Sequence, residues 1–183
     1  MKLIRNGFRT IITAFMVIII VAVGYNIVLK SLYPEKYTAY IEKYCEEYNV
    51  DVSLVYAIIK CESNFKPDAV SSAEAVGLMQ LTEQTFKDVS KMLDEEAEAK
   101  FSEDALDPEK NIKYGVRYLS YLYDIFKKDT VAVVAAYNAG LGNVKKWKNG
   151  DLRLLASKIE FEETSDYVEK VEKAKKYYEK LYD

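Results

Sequence analysis

The longest apolar run makes the first division of the chain. From Thr10 to Leu29 no residue is charged, and Ile, Val, Phe, Met and Ala dominate. About 20 such residues are what a helix needs to cross a hydrocarbon core. Beyond Lys30 the pattern changes to helical periodicity, with strand alternation nearly absent. Tyr37, Tyr40, Ile41, Tyr44, Cys45 and Tyr48 fall on one stripe, which predicts a helix over 37–48. A second is predicted over 52–62, with Asp51 as N-cap and Leu54, Ala57, Ile58 and Cys61 on one face. A polar loop from Ser63 to Val76 follows, and Thr82 opens a helix through Leu93. Asp107-Pro108 pairs an N-cap with an N1 proline and starts a helix to about Lys127, its buried face Ile112, Val116, Leu119, Tyr123 and Phe126. Asp129-Thr130 opens the next, from Val131 to Asn138, with Gly140 as its C′ stop. A charged helix over 167–181 closes an all-α domain.

Lys2, Arg5 and Arg9 precede the apolar run. The positive-inside rule then places the N-terminus in the cytoplasm and everything after Lys30 outside, as a single-pass protein of the cell membrane. A cleaved signal peptide is the alternative reading. The run is longer than a usual h-region and no small-x-small cleavage site follows it, which favours a signal anchor. Residues 1–33 are therefore read as cytoplasmic N-terminus, transmembrane anchor and short linker, and 34–183 as one domain large enough for its own core. Ser31-Leu32-Tyr33-Pro34 is the non-periodic stretch before a helical pattern resumes near Glu35. A linker that short holds the domain close to the outer leaflet.

Four of the 26 basic residues and none of the 29 acidic ones lie in the first 30 positions, so residues 31–183 carry a formal net charge of −7. That argues against a nucleic-acid partner, whose binding draws on basic surface. It says little against a glycan, which is read by aromatic faces and hydrogen bonds. Cys45 and Cys61 sit on two consecutive predicted helices, and two readings stay open: a disulfide, or two small buried hydrophobes.

The chain contains no histidine. Acid–base chemistry must then rest on Asp, Glu, Lys, Tyr or Cys. Glu62 stands out because it ends an apolar helix. The negative end of the helix dipole and apolar neighbours both favour its neutral, proton-donating form near pH 7. Cys61 beside it has no histidine or basic setting and is expected to stay a neutral thiol.

Further motifs follow in order. Glu62-Ser63-Asn64-Phe65-Lys66-Pro67 leads to Ser71, then to Gly77-Leu78-Met79-Gln80. Asp107-Pro108-Glu109-Lys110-Asn111-Ile112 comes next, with Gly115, Tyr118 and Leu119. Ala136-Tyr137-Asn138-Ala139-Gly140 and Glu163-Thr164-Ser165-Asp166-Tyr167-Val168 complete the set. Together these strings resemble the soluble lytic transglycosylase catalytic domain, a lysozyme-like fold related to goose-type lysozyme, over roughly residues 37–178. The chain departs from that pattern twice. Glu83 stands where proline is usual, a change that suits a first helical turn. Glu74 stands where glycine is usual, which predicts a locally different loop and an extra carboxyl group near the site.

The resemblance implies cleavage of the β-1,4 bond between N-acetylmuramic acid and N-acetylglucosamine in peptidoglycan, leaving 1,6-anhydromuramyl ends. Glycosidic cleavage normally takes two carboxyl groups. Here the substrate's own acetamido group would replace the second, and Glu62 would act as acid and then as base, without metal or cofactor. Tyr167 resembles the tyrosine that orients the catalytic carboxyl group. Ser71 and Gln80 match substrate-binding polar positions, Met79 a wall beneath the sugar, and Tyr137 and Asn138 the opposite wall, with the Asn138 amide on the acetamido group. Each has a plainer reading: core packing for Met79, a helix stop for Asn138-Ala139-Gly140, helix-start chemistry for Glu163-Thr164. Two other functions compete. A hydrolytic muramidase on the same fold would use water and a second carboxylate, with Glu74 as the candidate. A membrane-tethered glycan-binding protein without activity would need no proton donor.

Overall fold

The computed structural model describes residues 2–95, 99–127, 129–151, 153–154 and 156–182, with side chains from residue 13 onward. The chain divides into two compact units, Met1–Glu35 and Lys36–Asp183. The first contains one helix, α1 (Lys2–Leu32). Its portion Thr13–Leu32 has a mean hydropathy of 2.2 and is long and apolar enough to cross a membrane. The side chains of Lys2, Arg5 and Arg9, on which the expected topology rests, lie outside the described set. The predicted linker is corrected. Ser31 and Leu32 belong to α1, and the non-helical interval is 33–37, closed by Tyr37 in a left-handed conformation at φ 58°.

The second unit is all-α, with only isolated bridges and no strand among the described residues. Its helices are α2 (Thr38–Tyr48), α3 (Val52–Glu62), α4 (Glu83–Met92), the short α5 (Phe101–Asp104), α6 (Pro108–Phe126), α7 (Thr130–Ala139), α8 (Leu141–Lys148) and α9 (Glu162–Tyr182). The predicted caps are in place. Asp51 accepts from the Leu54 N–H at 2.8 Å, Thr82 from Thr85 at 3.2 Å, Asp107 from Lys110 at 2.8 Å and Asp129 from Ala132 at 3.3 Å. Each satisfies a donor that the first helical turn leaves orphaned. Glu83 occupies the first turn of α4, where the dipole favours a carboxylate, and pairs with Lys87 at 2.7 Å.

Helix α3 departs from the expected single face. Ser53 through Ile59 are all buried, because α9 packs on one side and α2 on another. A helix covered all round is a central rod. On α6 the buried set is Asn111, Ile112, Tyr114, Gly115, Val116, Leu119, Leu122 and Phe126, and the predicted Tyr123 is only half-buried. Helix α7 is built of small residues, with Ala132 to Ala136 fully buried against α6, α8 and α9.

Two elements differ from the sequence reading. The sequence reading placed Gly140 as the stop of α7 and predicted no helix beyond it, yet α8 begins at Leu141. Asn143 Nδ2 donates to the Ala139 carbonyl at 2.8 Å, and Val144 and Trp147 are buried, so packing holds the turn. Helix α9 starts at Glu162, five residues before the predicted start. Glu162 and Glu163 suit its first turn, and Thr164 is buried rather than capping.

Gly115 marks the closest approach of α6 to the Met79 side chain. A Cβ built there would lie 2.3 Å from Met79 Sδ and 2.7 Å from its Cε. Gly115→Ala is therefore expected to cost about 1–3 kcal/mol through overpacking, read from the shift of the urea unfolding midpoint. An unchanged midpoint would mean that Met79 has room to move.

Candidate active site

Glu62 is the last residue of α3, half-buried, and the chain turns immediately after it. Ser63 makes that turn. Its buried Oγ donates to the Leu78 carbonyl at 2.8 Å and sits 3.3 Å from the Ile59 carbonyl, tying the helix end to the 77–81 segment. Burial raises the Glu62 pKa from 4.5 to about 7. One contact opposes that shift. The Tyr167 hydroxyl, brought in by α9, donates to Glu62 Oε1 at 2.5 Å and favours the carboxylate. The carboxyl group is thus held in one orientation and remains able to carry a proton near neutrality. Tyr167 itself is held well above its ordinary pKa by burial and then by the Glu62 charge, so it stays a donor.

This balance has a testable consequence. Tyr167→Phe removes the bond that lowers the Glu62 pKa. The alkaline limb of the pH–kcat/KM profile is expected to move upward, while activity at its maximum falls about tenfold through lost orientation. A profile with an unmoved limb would separate Tyr167 from the titration of Glu62.

The segment 63–81, which follows Glu62 and folds back on Ser63, has its backbone in unusual conformations. Asn64, Phe65, Glu74 and Gln80 have φ of 50°, 62°, 59° and 48°, and Gly77 has 83°. Glu74 keeps the left-handed geometry that its position demands despite carrying a Cβ, so the expected local change in the loop is corrected: the fold accepts the strain. Its side chain is exposed.

Asn111 holds this segment. It is 1% exposed, accepts from the Met79 N–H at 2.8 Å, and donates to the carbonyls of Val76 at 3.0 Å and Ala105 at 2.8 Å. Gly77 is required beneath it, since a Cβ there would lie 2.2 Å from Asn111 Nδ2 and 2.3 Å from the Ala105 oxygen. Tyr137, half-buried on α7, donates to the Met79 carbonyl at 2.7 Å and feels the Glu62 charge.

Three positions read from the sequence as substrate contacts have structural partners. Met79 is fully buried, its side chain against Gly115, so that side chain forms core and not a sugar-facing wall. Ser71 Oγ accepts from the N–H groups of Ala73 at 3.2 Å and Ala75 at 3.1 Å, and shapes its loop. Gln80 Nε2 donates to the carbonyls of Ala69 at 3.0 Å and Gly77 at 2.9 Å. A serine hydroxyl and a carboxamide oxygen keep further capacity, so both remain able to meet a ligand. Asn138 is exposed at the end of α7, with its Oδ1 accepting from Thr164 Oγ1 at 2.7 Å. Glu62, Tyr167 and Tyr137 come together, and the Ser63, Asn111 and Thr164 roles were not assigned from the sequence. Their signal was their presence inside motifs otherwise read for neighbours.

Both cysteines are free thiols, Cys45 buried and Cys61 half-buried. Burial, followed by the Glu62 charge, pushes Cys61 up to about 11, which leaves it neutral and unreactive. A cavity of about 800 Å³ opens at the other end of α3, lined by Asp51, Tyr48, Arg117 and Asp124 among others. It contains none of the residues around Glu62. Eleven helical residues separate the two ends, roughly 16 Å, so chemistry and not cavity size locates the site.

The transglycosylase SLT domain family matches residues 39–159. A protein named membrane-bound lytic murein transglycosylase C, from Photorhabdus laumondii, is 37% identical over 132 residues, covering 68% of this chain and 37% of the relative. The 70 kDa soluble lytic transglycosylase of Escherichia coli superposes with a TM-score of 0.77 at 31% identity, over 83% of this chain and 25% of that one. An inactive glutamate-to-glutamine mutant of the lytic transglycosylase Slt from Pseudomonas aeruginosa gives 0.74 at 31% identity, over 81% and 25%. The chain thus spans about a third of the curated relative and a quarter of these solved chains.

Proposed function

The chain belongs to the transglycosylase SLT domain family, and from that premise we propose that it is a lytic transglycosylase acting on peptidoglycan. The observation that carries the reading is the Glu62–Tyr167 pair, a carboxyl group oriented by a 2.5 Å bond and protonated up to about pH 7. In this reading Glu62 gives its proton to the oxygen joining N-acetylmuramic acid to N-acetylglucosamine. The acetamido oxygen closes on C1 as that bond breaks, giving an oxazolinium-like intermediate. Glu62, now a carboxylate, takes the proton of the C6 hydroxyl while its oxygen attacks C1, and the acetamido group is released. The product is a 1,6-anhydro end, and the carboxyl group returns to its starting state. One residue serves as acid and base because its pKa lies near the working pH.

In this reading the exposed Asn138 amide receives the acetamido group, and Ser71 and Gln80 contribute their remaining hydrogen-bonding capacity along the glycan. Residues 34–183 form the catalytic domain and 1–33 the anchor. The apolar helix Thr13–Leu32, and relatives named as membrane-bound, support membrane association. We place the N-terminus in the cytoplasm and the domain outside, where peptidoglycan lies.

Mass spectrometry of fragments released from peptidoglycan by the full chain in detergent tests the reading. Anhydromuramyl ends are one water lighter than reducing ends. Their appearance with the wild type supports a transglycosylase. Reducing ends would make it a muramidase, and uncut glycan would leave a binding protein.

A further inference from the structure

We propose that Thr164 is a positioning residue that sets which end of the Asn138 carboxamide faces the substrate, making the site select for an N-acetyl carbonyl. The inference rests on the glycan-cleaving reading above. Asn138 is exposed at the end of α7, whereas Thr164 is 2% exposed in the first turn of α9. Thr164 Oγ1 donates to Asn138 Oδ1 at 2.7 Å.

A threonine hydroxyl can donate or accept, so this contact alone permits either amide orientation. Burial decides between them. With the amide reversed, Thr164 would accept from Nδ2 and its own hydrogen would need another acceptor. Among the described residues Asn138 is the one hydrogen-bond partner of that hydroxyl. A buried donor left without an acceptor costs more than a formed bond gains. The orientation with Oδ1 on Thr164 therefore holds. Asn138 Nδ2 makes no hydrogen bond among the described residues and keeps both of its hydrogens for a ligand.

The two helices that carry this pair also carry the neighbours of Glu62. Thr164 and Tyr167 are three residues apart on α9 and lie on the same face, and Tyr167 holds Glu62. On α7, Tyr137 precedes Asn138 and feels the Glu62 charge. One helix thus orients both the carboxyl group and the amide. An N-acetyl carbonyl has two lone pairs, one to accept from Nδ2 and one to attack C1. A de-N-acetylated sugar presents an ammonium group, which offers only donors and opposes Nδ2.

The test uses the full chain carrying Glu62→Gln, in detergent, so that glycan binds without turnover. Affinities are measured for β-1,4-linked N-acetylglucosamine oligomers and for their de-N-acetylated counterparts. Adding Thr164→Val, which keeps the volume and removes the hydroxyl, is expected to lower the ratio of the two affinities about tenfold, the effect of one hydrogen bond. Thr164→Ser is expected to retain the ratio. An unchanged ratio with Thr164→Val overturns the inference, and so does an equal loss for both oligomers, which would mark a merely structural role. Wild-type digestion of peptidoglycan runs alongside. Anhydromuramyl ends with an unmoved ratio overturn this inference alone, whereas uncut peptidoglycan overturns the glycan-cleaving reading together with it.

Discussion

Glu62→Gln is expected to leave peptidoglycan uncut and, above pH 7, to make the fold more stable than the wild type. The catalytic loss follows from two uses of one group. A positioned acid or base contributes about 10²–10⁴-fold, and here both proton transfers fail, so the rate falls by at least roughly 10³. The stability gain follows from the raised pKa. The folded chain binds the Glu62 proton up to about pH 7, against an ordinary 4.5. A group whose folded pKa is raised contributes stability that is complete below the unfolded value and lost as pH rises through the folded one. From pH 5 to 8 the wild type is therefore expected to lose about 3 kcal/mol, which glutamine, neutral throughout, does not lose. Tyr167 can still donate to the amide oxygen, so the comparison isolates the charge. Thermal melts of both proteins at pH 5, 6, 7 and 8 decide it. Parallel curves would mean that Glu62 titrates as an ordinary surface carboxylate. The same proton fixes the catalytic profile: kcat/KM of the wild type is expected to fall above about pH 7, as the donor form empties.

Much of the fold was legible because its signals are local. Asp51, Thr82, Asp107 and Asp129 mark helix starts within four residues of the donors they satisfy. Glu62 was legible because an apolar helix with a carboxyl group at its end states its own electrostatics. What stayed hidden depends on partners far along the chain. Asn111 sits one residue before the predicted apolar stripe of α6 and was legible only as one letter of a motif, since two of its partners lie 32 and 35 residues away. Met79 matched a substrate-facing position, and only the absence of a side chain at Gly115 makes room for it inside. The early start of α9 was missed for the same reason. Glu163-Thr164 reads as helix-start chemistry until α7 supplies Asn138 as the partner of the buried Thr164.

Asn111→Asp is expected to cost about 4 kcal/mol at pH 8 and progressively less toward pH 4. The side chains have the same shape, so packing is kept and only the hydrogen bonding changes. Oδ1 still accepts from the Met79 N–H, but the group that donated to the Val76 and Ala105 carbonyls becomes an oxygen facing two oxygens. Two buried carbonyls lose their donors, at about 1–3 kcal/mol each. The buried carboxylate also meets desolvation and carbonyl dipoles, which push its pKa above the unfolded value of about 3.9. Its penalty is therefore smallest when protonated, because the acid can donate one of the two bonds, and it grows as pH rises through the folded pKa. This is the reverse of ordinary acid denaturation, in which paired carboxylates lose stability as they protonate. Against a total of about 5–15 kcal/mol, the change leaves a folded but weakened protein. Activity should fall further than stability does. The segment that Asn111 pins supplies the Leu78 carbonyl to Ser63, directly after Glu62, and the Met79 carbonyl to Tyr137. Loosening it frees both neighbours of the Glu62 carboxyl group. Urea unfolding from pH 4 to 8 reads the first effect, and kcat at a pH where the variant is still folded reads the second. A pH-independent difference from the wild type would place the new carboxylate in solvent and remove Asn111 from beneath the 77–81 segment.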